Sequence, residues 1–324
     1  MMKTLIIGNT GFLGHHTVLE LLNKGHEVTG VSLTPLPGEI PEKPQVRQVL
    51  ADLNLLTDDE LSALLEGMEG LVFAAGADDR TIPNSPAYPF FHKANVESTR
   101  RLIRLARQAG IKKAVVFSSY FVYFARNLPD MKLGEMHPYI RSRLAQIDAA
   151  LEEAGDDLSV SFLLLPYIFG TLPGKMPLWK PLIDYLDSWS PWVFYPAGGT
   201  AMVSVEEVAR AAVAALERGE AGMEYPIVSN NLSWMEFIDR IQGYLGNHKR
   251  VFTLPNWLVR VGARFLEGNL KSKGKESGLN PVSFIDLQTR LTYLDTEYSS
   301  GLLGYQHGNF ERALKDTVEV CARE

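Results

Sequence analysis

A tyrosine and a cation stand four residues apart in "PYIRSR", residues 138–143. On a helix that spacing puts Tyr139 and Arg143 side by side on one face. Such a pair can move a proton. A free phenol titrates near pKa 10, so making it a proton carrier at neutral pH requires roughly 4 kcal/mol of extra stabilisation of the phenolate. A neighbouring positive charge is the natural supply. Arginine keeps its charge permanently and cannot release a proton. Electrostatic support of a tyrosinate is therefore open to this pair, and a relay that deprotonates the cation is not. A solvated surface pair has the same spacing, so the elements around it decide.

A second group of residues points to phosphate. "IIGNTGFLG" places Gly8, Gly11 and Gly14 at three-residue spacing, between an apolar β-rich run and a helical one. The chain must turn sharply after Ile7 and bring its backbone close to a ligand, which glycine permits. The helix opening near Phe12 aims free N–H groups and a positive dipole end at that ligand. A tight turn without a ligand is the plainer alternative, and the strand-to-helix context argues against it.

The elements that must position these residues alternate. Strands are expected at 3–8, 26–32, 70–76, 112–119 and 158–166, with helices at 15–25, 58–68, 95–110 and 139–155. This is the pattern of βαβ units and of a doubly wound parallel sheet, an α/β Rossmann fold. The second half is less regular, and 171–199 holds three of the five tryptophans. Ser204 and Glu207 have capping-box spacing at the start of a helix over 204–220, and 225–229 reads as one more strand. The expected organisation is a dinucleotide-binding domain over 1–168 with a returning segment at about 200–230, and a smaller, mostly substrate-binding lobe over 169–324.

Composition excludes several classes. The 324 residues are 46% hydrophobic and 22% charged, as in ordinary globular proteins. Lys and Arg total 32 against 38 Asp and Glu, a net charge of −6, which argues against nucleic acid and against an anionic membrane surface as partners. Cys321 is the only cysteine, so no intrachain disulfide forms. No run approaches the ~20 apolar residues of a membrane span, and no signal peptide is evident; a cytoplasmic protein is expected. No His/Cys/carboxylate cluster has metal-site spacing. His15 and His16 diverge on their helix, and His137, two residues before Tyr139, reads as a solvated loop residue.

With these pieces in order, the chain resembles the extended short-chain dehydrogenase/reductase superfamily, in its epimerase/dehydratase-like branch. "GNTGFLG" is similar to the family's GxxGxxG loop, "ADLNL" (51–55) to its adenine segment and "VFAAG" (72–76) to the strand end beside the adenine ribose. "ANVESTRRLI" (94–103), "VVFSSYFVY" (115–123), "VSVEEVARA" (203–211) and "YLDTEYSSGLLGYQ" (293–306) follow in the family's order. The resemblance implies a catalytic set of Ser119, Tyr139 and Arg143, the last standing where the family commonly has lysine. Ser119 is preferred to Ser118 because it lies four residues before the tyrosine of a "VY" pair, Tyr123. It implies cofactor contacts from Gly8, Thr10, Gly11, Phe12, Leu13 and Gly14 in the loop, from Ser32, Asp52 and Leu53 around the adenosine, and from Ala74, Ala75 and Gly76. Toward the nicotinamide it implies Ser118, Tyr139, Arg143, Pro166, Tyr167 and Ile168.

NAD-specific members end the second strand with a carboxylate; Ser32 stands there instead, so NADP is weakly preferred to NAD. The implied function is hydride transfer at a carbinol or carbonyl carbon of a small organic substrate, as oxidoreductase or epimerase. The alternative is a dinucleotide-binding sensor or scaffold with little turnover. Tyr120-Phe121 replaces the Asp-Glu pair of sugar-nucleotide dehydratases, which argues against that dehydration. Tyr120, Tyr167, Trp179, Trp189 and Trp192 are candidates for an apolar pocket or for lobe core. The helices at 95–110 and 139–155 resemble those that pair across the family's dimer, which implies a homodimer.

Overall fold

The computed structural model describes residues 1–36 and 46–323. Its centre is a seven-stranded, all-parallel sheet. Six strands come from the first half: β1 (Lys3–Ile7), β2 (Glu27–Ser32), β3 (Val46–Leu50), β4 (Gly70–Phe73), β5 (Lys113–Ser119) and β6 (Ser159–Leu165). The seventh, Glu224–Pro226, returns from the second half to pair with β6. The spatial order is β3-β2-β1-β4-β5-β6 and then this returning strand. Strand order therefore reverses between β1 and β4, where a doubly wound sheet opens its ligand crevice.

Burial on both faces explains the near-continuous apolar strands. Leu5, Ile7, Leu71, Phe73, Ala114 and Val116 point into one core with the helices Ser98–Gln108 and Pro138–Ala154. Ile6, Val72, Val115 and Phe117 point the other way, toward the helices Phe12–Asn23 and Val205–Arg218. A third core, built on Phe169, Val193, Met202, Trp234, Phe237 and Phe310, belongs to the C-terminal lobe. There Gly199–Ser204 pairs with Asn230–Ser233, Leu291–Thr292 and Tyr167–Phe169. The last of these leaves the end of β6 directly, so the lobe's small sheet is tied to the mouth of the large one.

Elements differ from expectation at their ends and at one edge. The edge strand β3 carries no clear sequence signal. The helix expected over 95–110 opens as a π-helical turn, His92–Glu97, before Ser98–Gln108. At the helix Val205–Arg218 only half of the capping box forms. Ser204 Oγ accepts from the Glu207 amide at 3.2 Å, while the buried Glu207 carboxylate accepts from the Gly308 amide at 2.8 Å and contacts His307 Nδ1 at 2.9 Å. Full capping boxes occur instead at Thr57/Glu60 and Ser233/Glu236.

Candidate active site

The glycine loop is shaped by close approach. Gly8 has φ +89°, and a Cβ there would lie 2.9 Å from the Ala74 carbonyl oxygen. A Cβ on Gly14 would lie 2.0 Å from the Gly8 carbonyl oxygen, so the helix Phe12–Asn23 seats directly on the loop. Gly11, its N-cap, supplies no side-chain cap, and the first turn has no acid. The free N–H groups and the positive dipole end are thus left for an anion.

A cavity of about 570 Å³ runs from Thr10, Gly11, Phe12 and Leu13, past Ala74, Ala75 and Gly76, to Ser118, Ser119, Tyr139 and Arg143. Pro166, Tyr167 and Ile168 close its far side. Of the expected cofactor residues, Gly8, Gly14, Ser32, Asp52 and Leu53 stand outside this lining. Gly8 and Gly14 support the loop from beneath. Asp52 Oδ1 accepts from the Asn54 amide at 2.9 Å and closes a turn. The Ser32 hydroxyl donates to the Thr34 carbonyl at 2.9 Å, which is local turn chemistry.

Two elements carry the three candidate residues Ser119, Tyr139 and Arg143. Ser119 is the last residue of β5, and its Oγ accepts from the Phe121 amide at 3.3 Å. Tyr139 lies in the first turn of Pro138–Ala154, with Pro138 at a position that needs no amide donor. The amide of Tyr139 donates to the Gly278 carbonyl at 2.9 Å. Arg143, one turn on, is buried, with its guanidinium carbon 5.2 Å from the centre of the Tyr139 ring. Its Nη1 donates to Gln146 Oε1 at 2.9 Å and to the Phe117 carbonyl at 3.3 Å, and its Nη2 to the Ala77 carbonyl at 3.0 Å. The guanidinium therefore joins β5, the loop after β4 and its own helix, three attachments a lysine could not make in one plane. Its Nε and the Ser118 Oγ are buried without a partner in the protein. Together with the glycine cradle they suit a polar group entering the cavity, as a nicotinamide dinucleotide would.

Burial decides the state of Tyr139. Desolvation raises its pKa above the ordinary value, and the charge of Asp79 adds to this. Arg143 and Ser119 pull the other way and do not overcome it. The phenol therefore stays protonated at neutral pH, and the cation moderates the rise without reversing it.

Asp78, Asp79 and Arg80, in the loop after β4, also line the cavity, and the sequence did not single them out. Arg80 pairs with Asp78. Burial raises the pKa of Asp79, with the Asp78 charge adding to the rise, and the Asp79 charge in turn raises those of Tyr120, Tyr139 and Tyr167. One carboxyl thus acts on three buried phenols. Asn95 holds the same loop: its Oδ1 accepts from the Ala77 amide at 2.9 Å, and its Nδ2 donates to Ser142 Oγ at 3.1 Å.

Tyr120, Tyr167 and Trp179 line the cavity, and the Tyr120 hydroxyl lies 2.9 Å from Thr200 Oγ1. Trp189 and Trp192 are neither pocket nor core; they are exposed. His137 is not solvated. It is fully buried, its Nδ1 accepts from the Asn280 amide at 3.0 Å, and burial lowers its pKa to about 4. It caps no substrate site; it ties the start of the Tyr139 helix to the C-terminal lobe. Among the described residues no group of His, Cys, Asp and Glu gathers to hold a metal.

The sequence profile described as "NAD dependent epimerase/dehydratase family" matches residues 4–229. Among curated proteins, the chain is 24% identical to the "Putative dihydroflavonol 4-reductase" of Synechocystis sp. over 97% of this chain and 92% of that one. Its fold is similar to the crystal structure of gox2253, at TM-score 0.80 and 22% identity, covering 100% of this chain and 98% of that one. It is also similar to MoeE5 in complex with UDP-glucuronic acid and NAD, at TM-score 0.69 and 22% identity, over 99% of both.

Proposed function

The chain belongs to the NAD dependent epimerase/dehydratase family, and from that premise we propose an NAD(P)-dependent oxidoreductase acting at a carbinol or carbonyl carbon of an uncharged, largely apolar substrate. The observation that carries this reading is one cavity lined both by the glycine loop and by Ser119, Tyr139 and Arg143. The bound dinucleotide supplies the hydride or accepts it. Gly11 through Leu13 would hold its pyrophosphate, Ala74 to Gly76 its adenine-side ribose, and Arg143 with Tyr139 its nicotinamide ribose. The Ser119 hydroxyl orients the substrate oxygen. The Tyr139 hydroxyl would donate the proton in reduction and its phenolate would accept it in oxidation, with Arg143 supporting the phenolate.

The lining favours a neutral substrate. Phe121, Tyr167, Leu172, Met176 and Trp179 give apolar wall. Of the described cations that line the cavity, Arg80 is paired with Asp78 and Arg143 is bonded to two carbonyls and Gln146, leaving Lys175 on the exposed rim. Asp79 opposes an anion. A nucleoside diphosphate sugar would bring two negative charges into this half with little to meet them. The absence of a carboxylate at the end of β2 favours NADP over NAD, although Ser32 already donates within its own turn.

The test is titration with NADP and NAD, followed by absorbance assays over neutral ketones and alcohols. Tyr139→Phe is expected to remove most turnover, on the order of a hundredfold or more, while leaving cofactor affinity nearly intact, because the hydroxyl acts mainly in the transition state. Arg143→Lys is expected to retain cofactor binding. Cofactor binding with no turnover of any carbonyl, and no effect of Tyr139→Phe, establishes the sensor reading instead.

A further inference from the structure

A surface helix normally turns its apolar side to the protein and its polar side to water. The helix Asn256–Ser272 does the reverse. None of its residues is buried. It rests on the helix Pro281–Gln288 through a half-buried stripe, Val259, Arg260, Ala263, Glu267 and Leu270. That stripe is partly polar: Arg260 pairs with Asp286, and Glu267 accepts from Asn280 Nδ2 at 3.1 Å. The outward side carries Trp257, Leu258, Val261 and Phe265, with Trp257 66% and Phe265 81% exposed. At about 100° per residue these four fall within an arc of about 100° of the helix circumference.

The neighbouring ribbon repeats the inversion. Arg250–Leu254, which leads into the helix, pairs with Trp192–Pro196. Phe194 and Phe252 are partners in register and stack at 5.7 Å, both exposed, with Trp192 54% exposed beside them. Val193, between Trp192 and Phe194, points inward and is fully buried. Two adjoining elements thus turn large aromatic side chains outward.

We propose that this face docks on the surface of an anionic lipid bilayer, with the helix lying in the interface plane. The flanking charges select the occupant. Arg264 and Lys271 border the apolar arc on one side, and Arg250 and Lys273 stand at its ends. Arg250, Arg264 and Lys273 have no acidic partner among the described residues. Tryptophan and phenylalanine on one face with cations along its border is the pattern of a helix that sinks about 5–10 Å into the headgroup region. A second copy of the chain fits less well. A two-fold contact would set Arg250, Arg264 and Lys273 of both copies against one another, and like charges in apposition cost affinity. The net charge of −6 is no obstacle, because screening confines each charge to about 8 Å at physiological salt.

The inference is independent of the catalytic reading. The experiment is flotation of the full-length protein with vesicles of phosphatidylcholine alone and of an equal mixture with phosphatidylglycerol. The parent is expected to float with the anionic mixture, less so as salt is raised. Trp257→Ser with Phe265→Ser is expected to lower the bound fraction by about tenfold or more, with nearly unchanged melting temperature, since both side chains are mostly exposed. Arg264→Glu is expected to weaken binding to the anionic vesicles only. The proposal is overturned if the parent floats with neither vesicle, if the double variant floats as the parent does, or if the parent is a dimer in solution that these substitutions dissociate.

Discussion

At the scale of single residues, the site is governed by burial as much as by charge. The adjacency of Tyr139 and Arg143 is legible from four-residue spacing, and Ser119 enters only through the resemblance, four residues before Tyr123. Asp79 is not legible, because "ADDR" between elements reads as a solvated turn; only the fold shows that the loop bends into the cavity. Since the Asp79 charge raises the pKa of Tyr139, Asp79→Asn is expected to move the rising limb of the oxidation rate, and the falling alkaline limb of the reduction rate, toward lower pH. A kcat/KM profile against pH checks this, and an unmoved limb removes Asp79 from the site. His137 gives a second case. Its pKa falls from 6.5 to about 4 on burial, so folding favours the neutral ring. That stability is complete above pH 6.5 and is lost as pH falls toward 4, amounting to about 3 kcal/mol. His137→Gln keeps an acceptor for the Asn280 amide and has no proton to take up. It is expected to flatten the decline of melting temperature between pH 6.5 and 4, measured by thermal unfolding across that range.

At the scale of elements, two glycines of one motif have different duties. A Cβ at Gly14 would meet backbone at 2.0 Å, whereas one at Gly11 meets only the Gly8 carbonyl oxygen, at 3.3 Å, and would stand in the cavity wall. Gly14→Ala is therefore expected to destabilise the fold by several kcal/mol, on the order of an overpacked core position. Gly11→Val is expected to leave melting nearly unchanged and to abolish dinucleotide binding. Thermal unfolding and cofactor titration of both variants separate the two. The first-half strands were readable because both their faces are buried and their helices carry a strong period. The edge strand β3, "VRQVL", is half-exposed with one neighbour, which leaves too little pattern to read. The short strands of the lobe are specified by distant partners, as Leu291–Thr292 is by Gly199–Thr200, and no local window contains that information.

At the scale of the whole molecule, the expected dimer meets a charged surface. Arg100 pairs with Glu152 and Glu153, and Arg101 and Arg104 both pair with Asp58. Three arginines of the helix Ser98–Gln108 are thus engaged within the chain, and exposed pairs of this kind contribute little each. A homodimer through the helices Ser98–Gln108 and Pro138–Ala154 would have to form around that network. Light scattering at micromolar concentration is the measurement: a mass twice 36.1 kDa that is insensitive to Arg100→Ala supports pairing through the remaining face, and a monomer dismisses it. The order of the family's segments was visible in the sequence at this scale, but the attachment of the lobe was not. The segment 273–280, between two helices of the lobe, supplies Gly278 and Asn280 to the start of the Tyr139 helix.

That attachment has a consequence for how the protein is made. His137 and Asn280 are 143 residues apart in the chain and adjacent in space. During synthesis the glycine loop, β1 through β6 and Tyr139 itself all leave the ribosome long before the residues that hold Tyr139 in position. The glycine loop and the strands of the crevice are made early, yet Tyr139 stays unclamped until Gly278 and Asn280, in the last fifth of the sequence, have been added. The order of emergence therefore separates formation of the glycine cradle from fixation of the helix that carries Tyr139 and Arg143.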